Sequence, residues 1–327
     1  MEKIDKQMDE FMIFCQSKNL ARKTMSSYEQ AIKLFARYLE DVKFITDASK
    51  INDKMFREYI VSIQERGKYT VASVEDSRKT NHPENRKDLG KKVSVSTINN
   101  YTRDIKVFYS YLLEQGTIKN NPLRNIKSIK HDRKPKEFIE DDDIIRLLKY
   151  INCSKFHEYR DSIIIQALLD TGMRIGECLN LESSDIDMVN RSIFLRSEIT
   201  KGNKHRYVYF SPELQKELRR WLQYKDRYVE TTYIFPNLKG KQLMIGAFEL
   251  ALRQYGERIS IKIHPHQLRN NFAKRFLMAG GNIYALSKIL GHASVVTTEQ
   301  AYLDLTDDDI RKNYQGFSPL SNLKKKK

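Results

Sequence analysis

The sequence predicts a mainly α-helical protein of two domains, with a small β-hairpin or sheet in the second, making that domain α+β. Three observations carry this. Apolar residues recur at intervals of three and four through most of the chain, the period of a helix with one buried face. Two short stretches, residues 191–196 and 205–210, alternate instead as strands do, and they flank a polar turn. The length of 327 residues suits two domains of roughly 100–200 residues each, and the basic, proline-containing stretch 127–136 reads as the linker between them.

Residues 1–126 read as four amphipathic helices. Their buried faces are Met8, Phe11, Met12 and Cys15, then Tyr28, Ile32, Phe35 and Leu39, then Phe56, Tyr59, Ile60 and Ile63, then Tyr101, Ile105, Phe108 and Leu112. Thr24 is expected to cap the second helix and Ser96 or Thr97 the fourth. Gly116 ends the fourth, and Asn120-Asn121-Pro122 is a turn. Between the third and fourth, residues 67–92 carry little apolar material, which predicts a long exposed loop or insertion. Beyond the linker, Ile144, Leu147, Leu148 and Ile151 mark a helix behind the acidic run 140–143, a charge that suits a helix N-terminus. Residues 163–169 are apolar enough for a buried helix ended by Thr171-Gly172. The hairpin follows, with Thr200-Lys201-Gly202-Asn203-Lys204 at its tip. Four further helical faces are Leu214, Leu218 and Trp221, then Phe248, Leu252 and Tyr255, then Leu268, Phe272 and Phe276, then Ile283, Leu286 and Leu290. Residues 316–327 are a tail ending in four lysines.

The formal charge is +16, from 58 lysines and arginines against 42 carboxylates. It is spread along the chain: 27 basic against 18 acidic residues up to position 134, and 31 against 24 after it. Basicity in both halves points to a polyanionic partner such as nucleic acid. No stretch approaches the roughly 20 apolar residues that span a bilayer, and the charged start Met1-Glu2-Lys3 does not resemble a secretory leader. Cys15, Cys153 and Cys178 are odd in number and widely spaced, so they read as buried free thiols in a cytoplasmic protein. No carboxylate cluster has metal-ligand spacing and no Gly-rich phosphate loop precedes a helix, so neither a metal, ATP nor another cofactor is expected.

Five segments of the second domain set polar groups in apolar surroundings: Thr171-Gly172-Met173-Arg174-Ile175-Gly176-Glu177, the hairpin tip, His264-Pro265-His266-Gln267-Leu268-Arg269, Leu290-Gly291-His292, and residues 297–302, ending in Tyr302. Singly, each has an ordinary explanation. Arg174 with Glu177 is an i, i+3 pair of the kind found on helix surfaces, and His292 follows a helix-ending glycine. Together they meet one chemical requirement. Two arginines clamp a phosphate, a lysine on a hairpin protonates a leaving oxygen, histidines hydrogen-bond the phosphate, and a tyrosine attacks phosphorus.

In these five segments, in this order, the chain resembles the tyrosine recombinases, the phage-integrase family of site-specific DNA recombinases. The resemblance is strongest over residues 137–305. It implies a catalytic domain over residues 137–315 and a helical core-binding, SAM-like DNA-binding domain over residues 1–126. Carried over position by position, it implies a catalytic set of Arg174, Lys201, His266, Arg269, His292 and Tyr302, with Glu177 supporting Arg174. Lys204 and His264 are neighbouring rivals, and Tyr284 and Tyr314 are the other nearby tyrosines. It implies cleavage of DNA through a 3′-phosphotyrosine bond and rejoining to a second strand, with four protomers on two double-stranded DNA duplexes, a possible second recombinase or directionality factor, and no membrane partner. The cytoplasm and its nucleoid are the expected location. Lys23, Thr24, Thr97, Arg103, Lys106 and Lys204 are the candidate DNA contacts. The sequence departs from the family at Asn270, where a histidine is frequent, and in the ten residues from His292 to Tyr302, where nine is common. No room is expected for an arm-binding domain before Met8, so the architecture resembles the two-domain Xer-type and mobile-element members. A catalytically idle DNA-binding protein and a type IB topoisomerase-like enzyme are the alternatives.

Overall fold

The computed structural model describes residues 3–71, 82–130, 138–292 and 294–302, with 311 and 314, and of residues 300–302 only the backbone. The chain divides into two compact units, Met1–Arg133 and Lys134–Lys327.

The first unit holds helices α1 (Lys3–Ser17), α2 (Arg22–Lys43), α3 (Asp53–Arg66) and α4 (Val95–Glu114). The four faces read from the sequence meet in one core rich in aromatic rings. Phe35 lies at its centre, 4.8 Å from Tyr59, 5.3 Å from Phe56 and 6.4 Å from Tyr109. Polar ties fix the helix ends. Asp47 accepts from Lys3 at 2.6 Å and from the backbone N–H of Ser49, while the Tyr109 hydroxyl donates to the Ala48 carbonyl at 2.9 Å. Asp104, fully buried on α4, accepts from Ser27 of α2 at 2.7 Å and from the adjacent Arg103 guanidinium.

The expected caps shift. Ala21 precedes α2 and Thr24 lies inside its first turn. Ser94 caps α4 by accepting from the Thr97 N–H at 3.2 Å, which places Ser96 and Thr97 inside the helix. A hydroxyl two residues upstream offered the same bond, so the apolar pattern alone put the start too late. Asn52 caps α3. Residues 72–81 of the expected insertion, 131–136 of the expected linker and the 316–327 tail lie outside the described residues. The base of the insertion is closed: the Lys68 N–H donates to the Lys91 carbonyl at 2.8 Å and the Gly90 N–H to the Lys68 carbonyl at 2.9 Å. Residues 126–129, at the start of the expected linker, are held on α4. Asn99 bonds both the N–H and the carbonyl of Ile129, and Lys106 donates to the Ile126 carbonyl at 2.9 Å.

The second unit is helical around a small sheet. Its elements are α5 (Asp141–Tyr150), α6 (Phe156–Thr171), α7 (Ile175–Cys178), β1 (Ile186–Asp187), β2 (Ser192–Leu195), β3 (Arg206–Tyr209), α8 (Pro212–Lys225), α9 (Ile245–Arg258), α10 (Pro265–Met278), α11 (Ile283–Leu290) and α12 (Val295–Tyr302). Helix α6 is buried nearly all round through Ile163, Ile164, Ile165 and Leu168, and α8 and α10 pack on it. Several polar groups enclosed there are paired. Asp161 accepts from Arg160 and from the Tyr255 hydroxyl of α9 at 3.0 Å. Trp221 of α8 is fully enclosed, and its indole N–H donates to the Ile234 carbonyl at 2.9 Å.

The sheet is antiparallel in the order β1-β2-β3, with Ile193 opposite Val208 and Leu195 opposite Arg206. The sequence shows only the hairpin; β1 is two residues long and too short to alternate. Cys15 and Cys178 are buried, but Cys153 is exposed, which corrects the expectation of three buried thiols. It falls in the polar turn before α6, where an apolar neighbour at Ile151 misled. No helix among the described residues is long and apolar enough to cross a membrane.

Trp221→Ala should lower the stability of the second unit by about 3–5 kcal/mol, the usual cost of emptying so large a buried site. Urea unfolding followed by circular dichroism measures it as a lower midpoint.

Candidate active site

The site begins where α6 stops. Gly172 takes a left-handed φ of +64°, and a Cβ there would lie 2.2 Å from the Phe272 ring, so only glycine fits the turn. Two residues later Arg174 stands at the N-terminus of the one-turn helix α7. Glu177 closes that turn. Its carboxylate is 1 % exposed and accepts from the Arg174 N–H at 2.8 Å and from Arg174 Nη1 at 2.9 Å.

A second cation meets the same carboxylate. Arg206 Nη1 donates to Glu177 Oε1 at 3.0 Å and Nη2 to Oε2 at 2.7 Å, a two-pronged pair, while Arg206 Nε donates to the Ile289 carbonyl at 2.7 Å. Burial alone raises the Glu177 pKa. The Arg206 hydrogen bonds and charge, then the Arg174 N–H and charge, outweigh it and hold the carboxyl below its ordinary value of 4.5. One carboxylate against two guanidiniums leaves the cluster with net positive charge. The Arg174 side chain keeps 30 % of its surface exposed and so remains open to an anion.

Helix α10 brings the next groups. His264 is its N-cap: Nδ1 accepts from the Gln267 N–H at 3.3 Å, and Gln267 Oε1 accepts from the His264 N–H at 2.9 Å. His264 is thus engaged in the cap; both it and His266, three residues before Arg269, are exposed. Arg269 is buried. It donates through Nη1 to the Gly172 carbonyl at 2.7 Å and through Nη2 to the Leu290 carbonyl at 2.7 Å, and Nη2 also lies 3.3 Å from His292 Nε2. A guanidinium has no lone pair, so Nε2 accepts and the neutral ring carries its proton on Nδ1. That proton points at the buried Thr298 hydroxyl of α12, 2.7 Å away. Tyr302 is four residues beyond Thr298 at the end of α12; its side chain lies outside the described residues.

Arg174, Glu177, Arg269 and His292 therefore join in one cluster, with Arg206 and Thr298 as members that the sequence reading missed. Arg206 had a signal. Alternation along β3 puts Val208 inward and hence Arg206 inward, and an inward arginine needs an anionic partner. Lys201 lies on the exposed hairpin tip and makes no hydrogen bond to the described residues. The tip is latched by Thr200, whose Oγ1 accepts from the Lys204 N–H at 3.1 Å. Lys204 is exposed. In the first unit, Lys23 and Thr24 are exposed on α2, Thr97 bonds Ser94, Arg103 pairs with Asp104, and Lys106 holds the Ile126 carbonyl. No group of metal-binding side chains occurs among the described residues.

The chain matches the phage integrase family over residues 137–309. The chain belongs to that family. Tyrosine recombinase XerC of Actinobacillus pleuropneumoniae serotype 7 is 30% identical over 227 residues, covering 68% of this chain and 72% of that protein. Tyrosine recombinase XerC of Bacillus pumilus is 27% identical over 313 residues, covering 92% of each. Among solved structures, the Tn1549 transposon integrase in complex with a circular intermediate DNA superposes with a TM-score of 0.70 at 18% identity, over 96% of this chain and 99% of that one. This member of the phage integrase family is a site-specific tyrosine recombinase, an enzyme of DNA strand exchange. The readings of an idle binding protein and of a topoisomerase-like enzyme are not favoured.

Glu177→Gln should cost about 3–5 kcal/mol, because it strands two cations against a neutral partner in a buried place. In the native protein this carboxylate has a depressed pKa, so its contribution is complete above pH 4.5 and is lost as pH falls through the lower folded value. Melting temperature followed from pH 7 to pH 3 should fall less steeply in the Glu177→Gln variant than in the parent.

Proposed function

We propose that Arg174, Lys201, His266, Arg269, His292 and Tyr302 carry out the strand exchange and that double-stranded DNA is the substrate. The observation that carries this is the convergence of Arg174, Arg269 and His292 around helix ends, with α12 placing Tyr302 one turn beyond the residue that bonds His292. Such a cluster offers bidentate donors and positive charge to a phosphodiester. The Tyr302 oxygen attacks phosphorus and forms a 3′-phosphotyrosine bond, its phenolic proton passing to solvent. The P–O5′ bond breaks, and Lys201 gives a proton to the departing O5′. Arg174, Arg269, His266 and His292 stabilise the charge on the phosphoryl oxygens. A 5′-hydroxyl of a second duplex then attacks the phosphotyrosine and gives its proton to the neutral Lys201, the P–O bond to Tyr302 breaks, and the departing tyrosine takes up a proton from solvent.

The net charge of +16 supports a DNA partner. So do the solved relatives, which include a lambda integrase dimer bound to a core site. In this reading the first unit is the core-binding domain. Lys23, Thr24 and Lys204, being exposed, contact phosphates directly, while Thr97, Arg103 and Lys106 do so by way of groups already hydrogen-bonded within the fold. Exchange between two duplexes takes four active sites, hence four protomers, alone or with a second recombinase or directionality factor, acting on the nucleoid.

The test is covalent trapping. Nicked duplexes drawn from DNA flanking the gene, incubated without metal, should give an SDS-resistant adduct. Tyr302→Phe should abolish it and Tyr314→Phe, at an exposed tyrosine, should not. Lys201→Ala should lower its rate by about 10²–10⁴-fold. An adduct that persists in Tyr302→Phe and vanishes in Tyr314→Phe would reverse the assignment of the nucleophile.

A further inference from the structure

We infer that Arg206 is a positioning residue for the reaction: it fastens the loop that carries Lys201 to the carboxylate that orients Arg174 and to the turn that delivers His292. The inference rests on the reading of Lys201 as the general acid.

The argument begins with the loop. Residues 196–205 join β2 to β3, and Lys201 near their middle is exposed without a hydrogen bond to the described residues. Its place is therefore set by the feet of the loop. Each foot is an arginine. Arg196, at the leading end, donates through Nη2 to the Asn180 carbonyl and to Glu182 Oε1, both at 3.1 Å, and its Nε lies 3.1 Å from Asp185 Oδ1. Arg206, at the trailing end, spends Nη1 and Nη2 on Glu177 and Nε on Ile289.

The two feet differ in what they reach. Arg196 ties the loop to residues 180–185, the segment between α7 and β1. Arg206 ties it to the residue holding Arg174 and to the last turn of α11, three residues before His292. Its guanidinium also lies flush on Gly291: a Cβ there would come within 2.9 Å of Nη1 and 3.0 Å of Cζ. One planar group thus contacts α7, the end of α11 and the turn after it, from the first residue of β3. Arg174 and His292 keep other supports, in the Glu177 carboxylate and in Arg269 and Thr298. The trailing foot of the Lys201 loop is held to the sheet by the pairing of Arg206 with Leu195, and to α7 and the end of α11 by the Arg206 side chain. Weakening Arg206 should therefore displace the proton donor first.

Three donors in a fixed fork make the contact, so lysine cannot replace it although it keeps the charge. Arg206→Lys is the test variant, and Arg206→Gln is the second should the first fail to melt cooperatively. The substrate is the trapping duplex in two forms, one with the ordinary bridging O5′ and one with sulfur at that position. A thiolate leaves without being protonated, so the sulfur duplex bypasses the general acid. The variant is expected to cleave the ordinary duplex about 10²-fold more slowly, as a misplacement near 1 Å can do, and to cleave the sulfur duplex at close to the parent rate. Lys201→Ala should show the same rescue. Rescue of Lys201→Ala without rescue of the Arg206 variant overturns this inference and makes Arg206 a purely structural residue. Failure to rescue Lys201→Ala overturns the general-acid assignment, and the inference falls with it. Parent-like cleavage of the ordinary duplex by Arg206→Lys also overturns it.

Discussion

Glu177 carries its charge in a position almost closed to solvent, and the surrounding elements are arranged to make that tolerable. Moving a carboxylate out of water costs several kcal/mol, which only close, well-directed donors offset. Here the donors are two guanidiniums and a backbone N–H. Because the arginines come from α7 and β3, one buried anion fixes the distance between a helix and a sheet strand. The same pairing leaves an excess of positive charge facing outward through Arg174. A phosphate arriving there would complete the charge balance that the protein alone leaves unfinished.

Helix termini supply the other half of the arrangement. The last carbonyls of a helix have no intrahelical donor, and the end of the helix is electronegative. At α6 and α11 these carbonyls are turned toward arginines: Gly172 and Leu290 receive Arg269, and Ile289 receives Arg206. The left-handed glycines at both ends, Gly172 and Gly291, let the chain turn away sharply enough for a guanidinium to come in close. Glycine at each end is thus tied to an arginine far away in sequence.

The helices were legible because burial imposes a period, and a period survives without knowledge of partners. Phe35, Phe108 and Leu252 fall on the faces that their spacing implied. Helix starts were less legible, since Ser94, Ser96 and Thr97 are all competent caps and tertiary geometry chooses among them. At the candidate site, the resemblance named Arg174, Glu177, Arg269 and His292, and the structure joins them in one cluster. Arg206 is less legible because alternation over residues 205–210 marks a strand without naming the anion that an inward cation faces. Thr298 escaped because a threonine in a short helix has no pattern of its own; its meaning comes only from the His292 ring beside it.

Cys153 differs from the other two cysteines in its exposure. Cys15 and Cys178 are enclosed, so the protein carries a single accessible thiol of its own, although desolvation raises the Cys153 thiol as it raises the other two. It sits in the turn ahead of α6, the helix whose other end opens into the site. A maleimide dye placed there would report on the second unit without any engineered cysteine, giving fluorescence work on this enzyme a ready-made attachment point.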